Sequence, residues 1–226
     1  MAAVQLAWRQ RADAVEVDVH LSKDGRLVVI HDGNTRRTTG LNRKVADQTL
    51  AELRQLDAGR WKGDFWAGER IPTLEEILAT VLRGKRLFIE VKCRADAAPA
   101  LARTFARCRC LPRQIVLIGF SFAAMKSLKR AFPQITVFWI AALKRHWRTG
   151  KFPDAQFLIG KVKSAGLDGI DLEANAAVTS ALVKKIHAAG LKLYVWTVDS
   201  RATAHKLARA GVDGITTNRP ALLREK

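Results

Sequence analysis

Glutamate and aspartate stand two residues apart in the run Ala14-Val15-Glu16-Val17-Asp18-Val19-His20. Side chains alternate across a strand, so Glu16, Asp18 and His20 share one face and the three valines share the other. Like charges held that close raise each other's pKa unless a cation joins them. Two oxygen donors at one strand end are therefore a natural start for a Mg2+ or Ca2+ site, although a polar layer holding no ion is the plainer reading of this pair alone.

The residues that follow sharpen the case. Ser22-Lys23-Asp24-Gly25 is a hairpin signal, and Leu27-Val28-Val29-Ile30 reads as its returning strand. A two-residue Asp24-Gly25 turn pairs 18 with 31 and sets His31 beside Asp18. A histidine against an acidic cluster suits a general acid that protonates a leaving alkoxide. A second run, Phe88-Ile89-Glu90-Val91-Lys92, places Glu90 and Lys92 on one face. Glu90 is a candidate third carboxylate and Lys92 a candidate phosphate contact, or the two form an ordinary ion pair. Three carboxylates, an imidazole and an ammonium at strand ends suit hydrolysis of a phosphate ester with one divalent ion.

Parallel strands joined by helices are needed to bring these residues together. Seven short runs rich in β-branched residues read as strands, at 14–20, 86–92, 114–120, 134–140, 167–172, 191–198 and 212–216. Helical patterns cover 73–82, 97–108, 123–131, 177–189 and 200–210, two of them closed by the glycines at 190 and 211. Thr73 with Glu76 three residues on marks a helix start. The alternation predicts an α/β chain of TIM (β/α)8-barrel type, a single domain over 1–226 that lacks the barrel's first strand; a doubly wound open sheet is the alternative. Residues 32–72, which carry Trp61, Phe65 and Trp66, form a long connection expected to cap the cleft.

Composition bounds the partners. With 226 residues, 48% of them hydrophobic, the chain can bury a core, and 39 Lys and Arg against 21 Asp and Glu give a formal net charge of +18. That surface favours anions. Three cysteines without paired spacing indicate neither a disulfide framework nor structural zinc, and with no long apolar run a cytoplasmic protein is expected. No helix-turn-helix, zinc-finger or RNP-like pattern points to a specific nucleic acid. The clusters Arg36-Arg37, Arg43-Lys44 and Lys144-Arg145 with Trp147-Arg148 read first as solvated faces and second as a weak grip on anionic membrane surfaces.

The stretch from Ala14 to Gly40 resembles the signature of glycerophosphodiester phosphodiesterases: an ExD strand, a KDG hairpin, His31-Asp32, and Arg37-Thr38-Thr39-Gly40. The resemblance continues through the TLAELRQLDAG and ERIPTLEEIL segments, Glu90 to Lys92, Ser121-Phe122 and YVWTVDS around Trp196, nearly the whole chain. It implies a TIM-barrel enzyme that cleaves small-molecule glycerophosphodiesters to glycerol 3-phosphate and an alcohol with a divalent metal, Mg2+ or Ca2+. It implies Glu16, Asp18 and Glu90 as metal ligands, His31 as one of two catalytic histidines, and Lys92 as a phosphate contact. Phe122 and Trp196 would wall the glycerol site, though barrel packing explains Trp196 equally well. The family's His-Arg-Gly and Glu-Asn segments are missing from this chain, and His20, His146, His187 and His205 are unconvincing replacements.

The expectation is that those segments lie before Met1 and that the chain as written is nearly inactive. The other reading is an impaired barrel that binds anionic lipid or nucleic acid through its charge. If the enzyme reading holds, an in-frame His-Arg-Gly stands roughly ten to twenty codons upstream, and a stop codon within that span contradicts it.

Overall fold

The computed structural model describes residues 1–93, 97–143, 145, 148, 150 and 152–224. Lys144, His146 and Trp147 lie outside the described residues. The chain divides into two compact units, Met1–Leu117 and Ile118–Lys226.

In the first unit, helix α1 (Ala2–Arg9) leads into strand β1 (Ala14–Leu21). Strand β2 (Leu27–Val29) pairs antiparallel with one edge of β1, and strand β3 (Arg86–Val91) pairs parallel with the other. The alternation in β1 is realised as the valines require. Val15, Val17 and Val19 are buried, together with Leu87, Ile89 and Val91 of β3, while Glu16 and Asp18 are half-buried on the opposite face. Each such valine or leucine contributes roughly 1.5–3 kcal/mol on burial, which pins the polar residues to the other side.

The hairpin differs from the two-residue turn expected of Asp24-Gly25. Val19 pairs with Val29 and Leu21 with Leu27, so Ser22 faces Arg26 across a three-residue loop. Ser22 Oγ donates to Asp24 Oδ1 and accepts from the Arg26 amide, and Gly25 takes a positive φ of 71° to close the turn. Asp18 therefore stands opposite Ile30, whose amide donates to the Asp18 carbonyl, and not opposite His31.

Residues 32–72 are more ordered than a plain connection. They hold helix α2 (Arg36–Thr39), helix α3 (Leu50–Gln55) and three short 3₁₀ turns. Thr49 and Glu52 form a capping box for α3, and Asp24 accepts the Leu50 amide, which ties the hairpin to that helix. Val28, Ile30, Val45, Leu53 and Ile71 form a buried cluster beneath the segment. The Val29 amide donates to the Pro72 carbonyl, so the outer edge of β2 is covered. Helix α4 (Leu74–Leu78) starts at the expected Thr73–Glu76 capping box, and helix α5 (Ala97–Arg107) follows β3.

Strand β4 (Ile115–Gly119) crosses the division into the second unit. There helix α6 (Phe122–Ala131), strand β5 (Thr136–Ala141), helix α7 (Ala155–Ser164), strand β6 (Gly169–Glu173), helix α8 (Ser180–Ala188), strand β7 (Lys192–Trp196), helix α9 (Arg201–Ala210), strand β8 (Gly214–Ile215) and helix α10 (Pro220–Arg224) alternate. The pairs β5–β6, β6–β7 and β7–β8 are parallel. Every strand run read from the sequence overlaps an observed strand, and β1, β5 and β6 each extend one residue past the expected end. Helix α7, capped by Asp154, is an element the sequence reading lacked. Gly190 and Gly211 both take positive φ just past their helices, as a left-handed helix stop requires.

Leu53, fully buried under the 32–72 segment, is a direct test of its packing. Leu53→Ala is expected to lower the unfolding free energy by about 2–5 kcal/mol in urea titrations, and a loss well under 1 kcal/mol would show that the cluster is not a packed core.

Candidate active site

The parallel pairing of β1 with β3 sets Glu16 beside Phe88 and Asp18 beside Glu90. Because the two strands run the same way, the acidic face of one continues into the acidic face of the other. Glu16, Asp18 and Glu90 each present a carboxylate oxygen within 4.8 Å of the others. Three hard, anionic oxygens at that spacing suit a hard divalent cation, so the donor set fits the metal expected from the sequence.

Lys92, just past the end of β3, reaches back over this group. Its Nζ lies 2.8 Å from Glu90 Oε1 and 3.1 Å from Asp18 Oδ1. Burial works against its charge, but the hydrogen bonds and attraction of Glu90 and Asp18 outweigh that, and its pKa stands above the ordinary value. Burial raises the pKa of Glu90, and Lys92 opposes this only in part. The ion-pair reading of Glu90 and Lys92 is thus observed here.

His31 is exposed and sits one position beyond the place the two-residue turn would give it. It remains close enough for its positive form to favour ionised Glu90 and to disfavour charge on His20. Its Nδ1 lies 2.7 Å from Asp32 Oδ1, and Arg37 grips the same carboxylate through Nε at 2.6 Å and Nη2 at 3.3 Å. The hydrogen bonds from Arg37 and then His31 bring the Asp32 pKa down to about 2. The Arg37 guanidinium in turn lies 5.1 Å from the centre of the Trp61 ring. His20 Nε2 is 3.3 Å from the His31 carbonyl oxygen, and burial lowers its pKa, so a neutral ring is favoured.

Asp32 and Arg37 were not singled out for chemistry from the sequence. The signal was there in part: an Asp directly after the histidine and a basic residue five positions on. Only the short α2 turn shows that the two meet.

Phe122 and Trp196 belong to the second unit and are described within it. Trp196 lies on the β7 face that carries Tyr194, opposite Glu173 of β6, and packs edge-on against Phe120 with centroids 5.6 Å apart. Its Nε1 donates to the Asp171 carbonyl. Phe122 packs instead against Trp139 at 5.1 Å, and Lys161 lies 4.5 Å from both rings. Trp139 alternates with Phe138 and Ile140 along β5, so this pair is on the strand face away from Phe138 and its stacked partner Tyr194. Asp171, 2% exposed, shares a face with Glu173 and was missed as a candidate, although the Asp-Leu-Glu alternation of β6 is visible in the sequence. Asn218 donates its side-chain amide to Asp199 at 3.0 Å, a role an Asp in its place could not fill without like-charge repulsion.

An α/β chain with three strand-borne carboxylates, a lysine bridging two of them and a carboxylate-held histidine nearby has the makings of a phosphate-ester hydrolase. A model of the Glycerophosphoryl diester phosphodiesterase family matches residues 1–222. The chain belongs to that family and is a phosphoric diester hydrolase with its TIM-barrel-type fold. It is 31% identical over 231 residues to a glycerophosphodiester phosphodiesterase of Caldanaerobacter subterraneus subsp. tengcongensis, covering 99% of this chain and 89% of the relative. A glycerophosphodiester phosphodiesterase of Bacillus subtilis is 29% identical over 235 residues, 96% of this chain and 78% of the relative. Among solved structures, an Oleispira antarctica phosphodiesterase in complex with the product sn-glycerol-3-phosphate superposes with a TM-score of 0.85 at 28% identity, covering 99% of this chain and 88% of that one.

The Asp32 clamp has a measurable consequence. Its pKa of about 2 lies below the ordinary 3.8, so its stabilisation is complete above the ordinary value and fades as pH falls toward 2. Asp32→Asn is expected to make the acid limb of the stability curve shallower by about one proton in denaturant titrations between those pH values. Identical acid limbs would show that the clamp does not hold.

Proposed function

We propose that the chain hydrolyses glycerophosphodiesters to glycerol 3-phosphate and an alcohol, with Glu16, Asp18 and Glu90 as ligands of one divalent ion, Mg2+ or Ca2+. The observation that supports this most directly is the convergence of the three carboxylates within 4.8 Å on adjoining parallel strands. A divalent ion held there supplies positive charge that neutralises the phosphate and polarises it toward attack.

Water is the nucleophile, and Lys92, His31 and Arg37 supply three further parts of the chemistry. Lys92 is poised to exchange its carboxylate partners for a phosphate oxygen, a short swing for a flexible ammonium. His31, held through Nδ1 by Asp32, presents Nε2 as the group that protonates the leaving alkoxide. Arg37 keeps the Asp32 carboxylate oriented toward Nδ1 and is a positioning residue. On this reading residues 32–72 form a cap beside the carboxylate end of β1, and residues 1–226 form one catalytic domain.

Trp196 is read as an apolar wall for the glycerol moiety, supported by its place beside Glu173 on the β6–β7 face. The family resemblance extends the same role to Phe122, whose observed contacts are with Trp139 and Lys161. The cytoplasm is the compartment we infer from Cys93, Cys108 and Cys110, which are odd in number and lack paired spacing. Among the described residues no helix is long and apolar enough to cross a membrane.

Release of glycerol 3-phosphate from a glycerophosphodiester, measured on the protein expressed from its complete gene, tests this reading. Turnover is expected to require added Mg2+ or Ca2+ and to stop with chelator; undiminished turnover in chelator would overturn the metal assignment. Asp18→Asn should lower kcat/KM at least about 100-fold, since even groups that only orient metal ligands are worth 10–100-fold. His31→Ala should cost about 10²–10⁴-fold with an alkyl leaving group and far less with a nitrophenyl one, which needs no proton. Equal losses with both substrates would remove His31 from the general-acid role.

A further inference from the structure

The segment around residues 57–69 does something unusual with its aromatic side chains. Phe65 is 86% exposed and Trp61 46% exposed, and Phe65 is the most exposed large hydrophobic side chain among the described residues. A loose loop could show such a residue by chance, but this one is braced. Both oxygens of Asp57 are engaged, Oδ1 accepting the amides of Gly59 and Arg60 and Oδ2 that of Gly68. The Ala58 amide donates to the Glu69 carbonyl, and Trp61 Nε1 donates to the Ala58 carbonyl. The backbone closes so tightly at Gly59 that a Cβ there would run into the Trp66 carbonyl. The result is a rigid knuckle that holds Phe65 outward, edge-on to Trp66 with ring centroids 4.8 Å apart.

The knuckle is flanked by cations. Lys62 and Arg37 lie 5.2 Å and 5.1 Å from the centre of the Trp61 ring, and Arg60 and Arg36 are exposed. Asp57 is committed to backbone amides and to Arg60, whose Nε lies 3.5 Å away, Glu69 accepts the Ala2 amide at 3.3 Å, and Asp64 beside Phe65 is the one exposed carboxylate of the 57–69 segment. The whole chain carries +18, which draws it toward negative surfaces from a distance. Aromatic rings that favour the boundary between water and hydrocarbon, with Arg36, Arg37, Arg60 and Lys62 outnumbering Asp64 around them, match the chemistry of an anionic phospholipid surface.

We propose that Trp61, Phe65 and Trp66, with Arg60 and Lys62 beside them, form a docking knuckle for anionic lipid bilayers. Positive charge brings the protein to the surface and Phe65 enters the headgroup layer. The docked chain would keep its hydrolytic site, since Phe65 belongs to none of the groups assigned to metal, phosphate or proton transfer.

Co-sedimentation with vesicles tests this. The protein is expected to bind vesicles of equal parts phosphatidylcholine and phosphatidylglycerol, to bind pure phosphatidylcholine weakly, and to release as salt is raised. Phe65→Ser should weaken binding to the mixed vesicles about tenfold or more, the loss of one buried aromatic side chain. Phe65→Trp should retain it. The Ser variant should keep the wild-type urea midpoint and the wild-type turnover of a water-soluble glycerophosphodiester, because the replaced ring is almost wholly in solvent. Equal binding by wild type and Phe65→Ser would leave charge alone as the cause and overturn the knuckle. Absence of binding to the mixed vesicles would overturn it as well. So would light scattering showing a dimer that Phe65→Ser dissociates, or nucleic-acid binding that Phe65→Ser abolishes in a protein that ignores vesicles.

Discussion

The register between β1 and β3 is the constraint on which the site depends. Parallel pairing puts Asp18 beside Glu90 and leaves Glu16 one step away on the same face. A slip of one residue would turn these carboxylates toward the valine layer and the valines toward the cleft. Val15, Val17, Val19, Leu87, Ile89 and Val91 forbid that slip, because each would lose its burial. Apolar packing on one face thus holds three like charges together on the other, an arrangement that electrostatics alone would push apart.

Lys92 shows how the protein lives with that repulsion. Three carboxylates and one ammonium sum to a formal −3 + 1 = −2, the complement of one divalent cation. The bridging ammonium offsets part of the repulsion between Asp18 and Glu90, and burial eases Glu90 further toward its neutral form. Such a group is stable enough to fold and negative enough to take up a cation. The histidine side of the site follows a similar logic. Arg37 keeps Asp32 ionised and aimed, and Asp32 keeps the His31 ring in one orientation, while Trp61 backs the guanidinium.

Much of this was legible in the residue pattern because strand periodicity is simple. A period of two separates Glu16 and Asp18 from the valines without knowledge of any partner, and the same holds for Glu90. The hairpin register was not legible. The side chain of Ser22 bonds to Asp24 and Arg26 and makes room for a third loop residue, so His31 moved off its expected place. The Asp32–Arg37 clamp was hidden for a different reason. It depends on a four-residue helix whose existence comes from tertiary packing more than from any intrinsic preference of Arg36 to Thr39. Phe122 read as a wall of the cleft, yet its neighbours are Trp139 and Lys161, since an aromatic at a helix start can turn toward either the strand ends or the next helix. The short helix α3 was overlooked although Thr49 and Glu52 spell out its capping box.

Divalent-ion titration followed by calorimetry bears most directly on the claim that packing gathers three carboxylates into one cation site. The protein should take up one Mg2+ or Ca2+ per chain, and Glu16→Gln, Asp18→Asn and Glu90→Gln should each abolish that uptake while the chain stays folded. Uptake that survives all three substitutions, or none in the unsubstituted protein, would contradict the account.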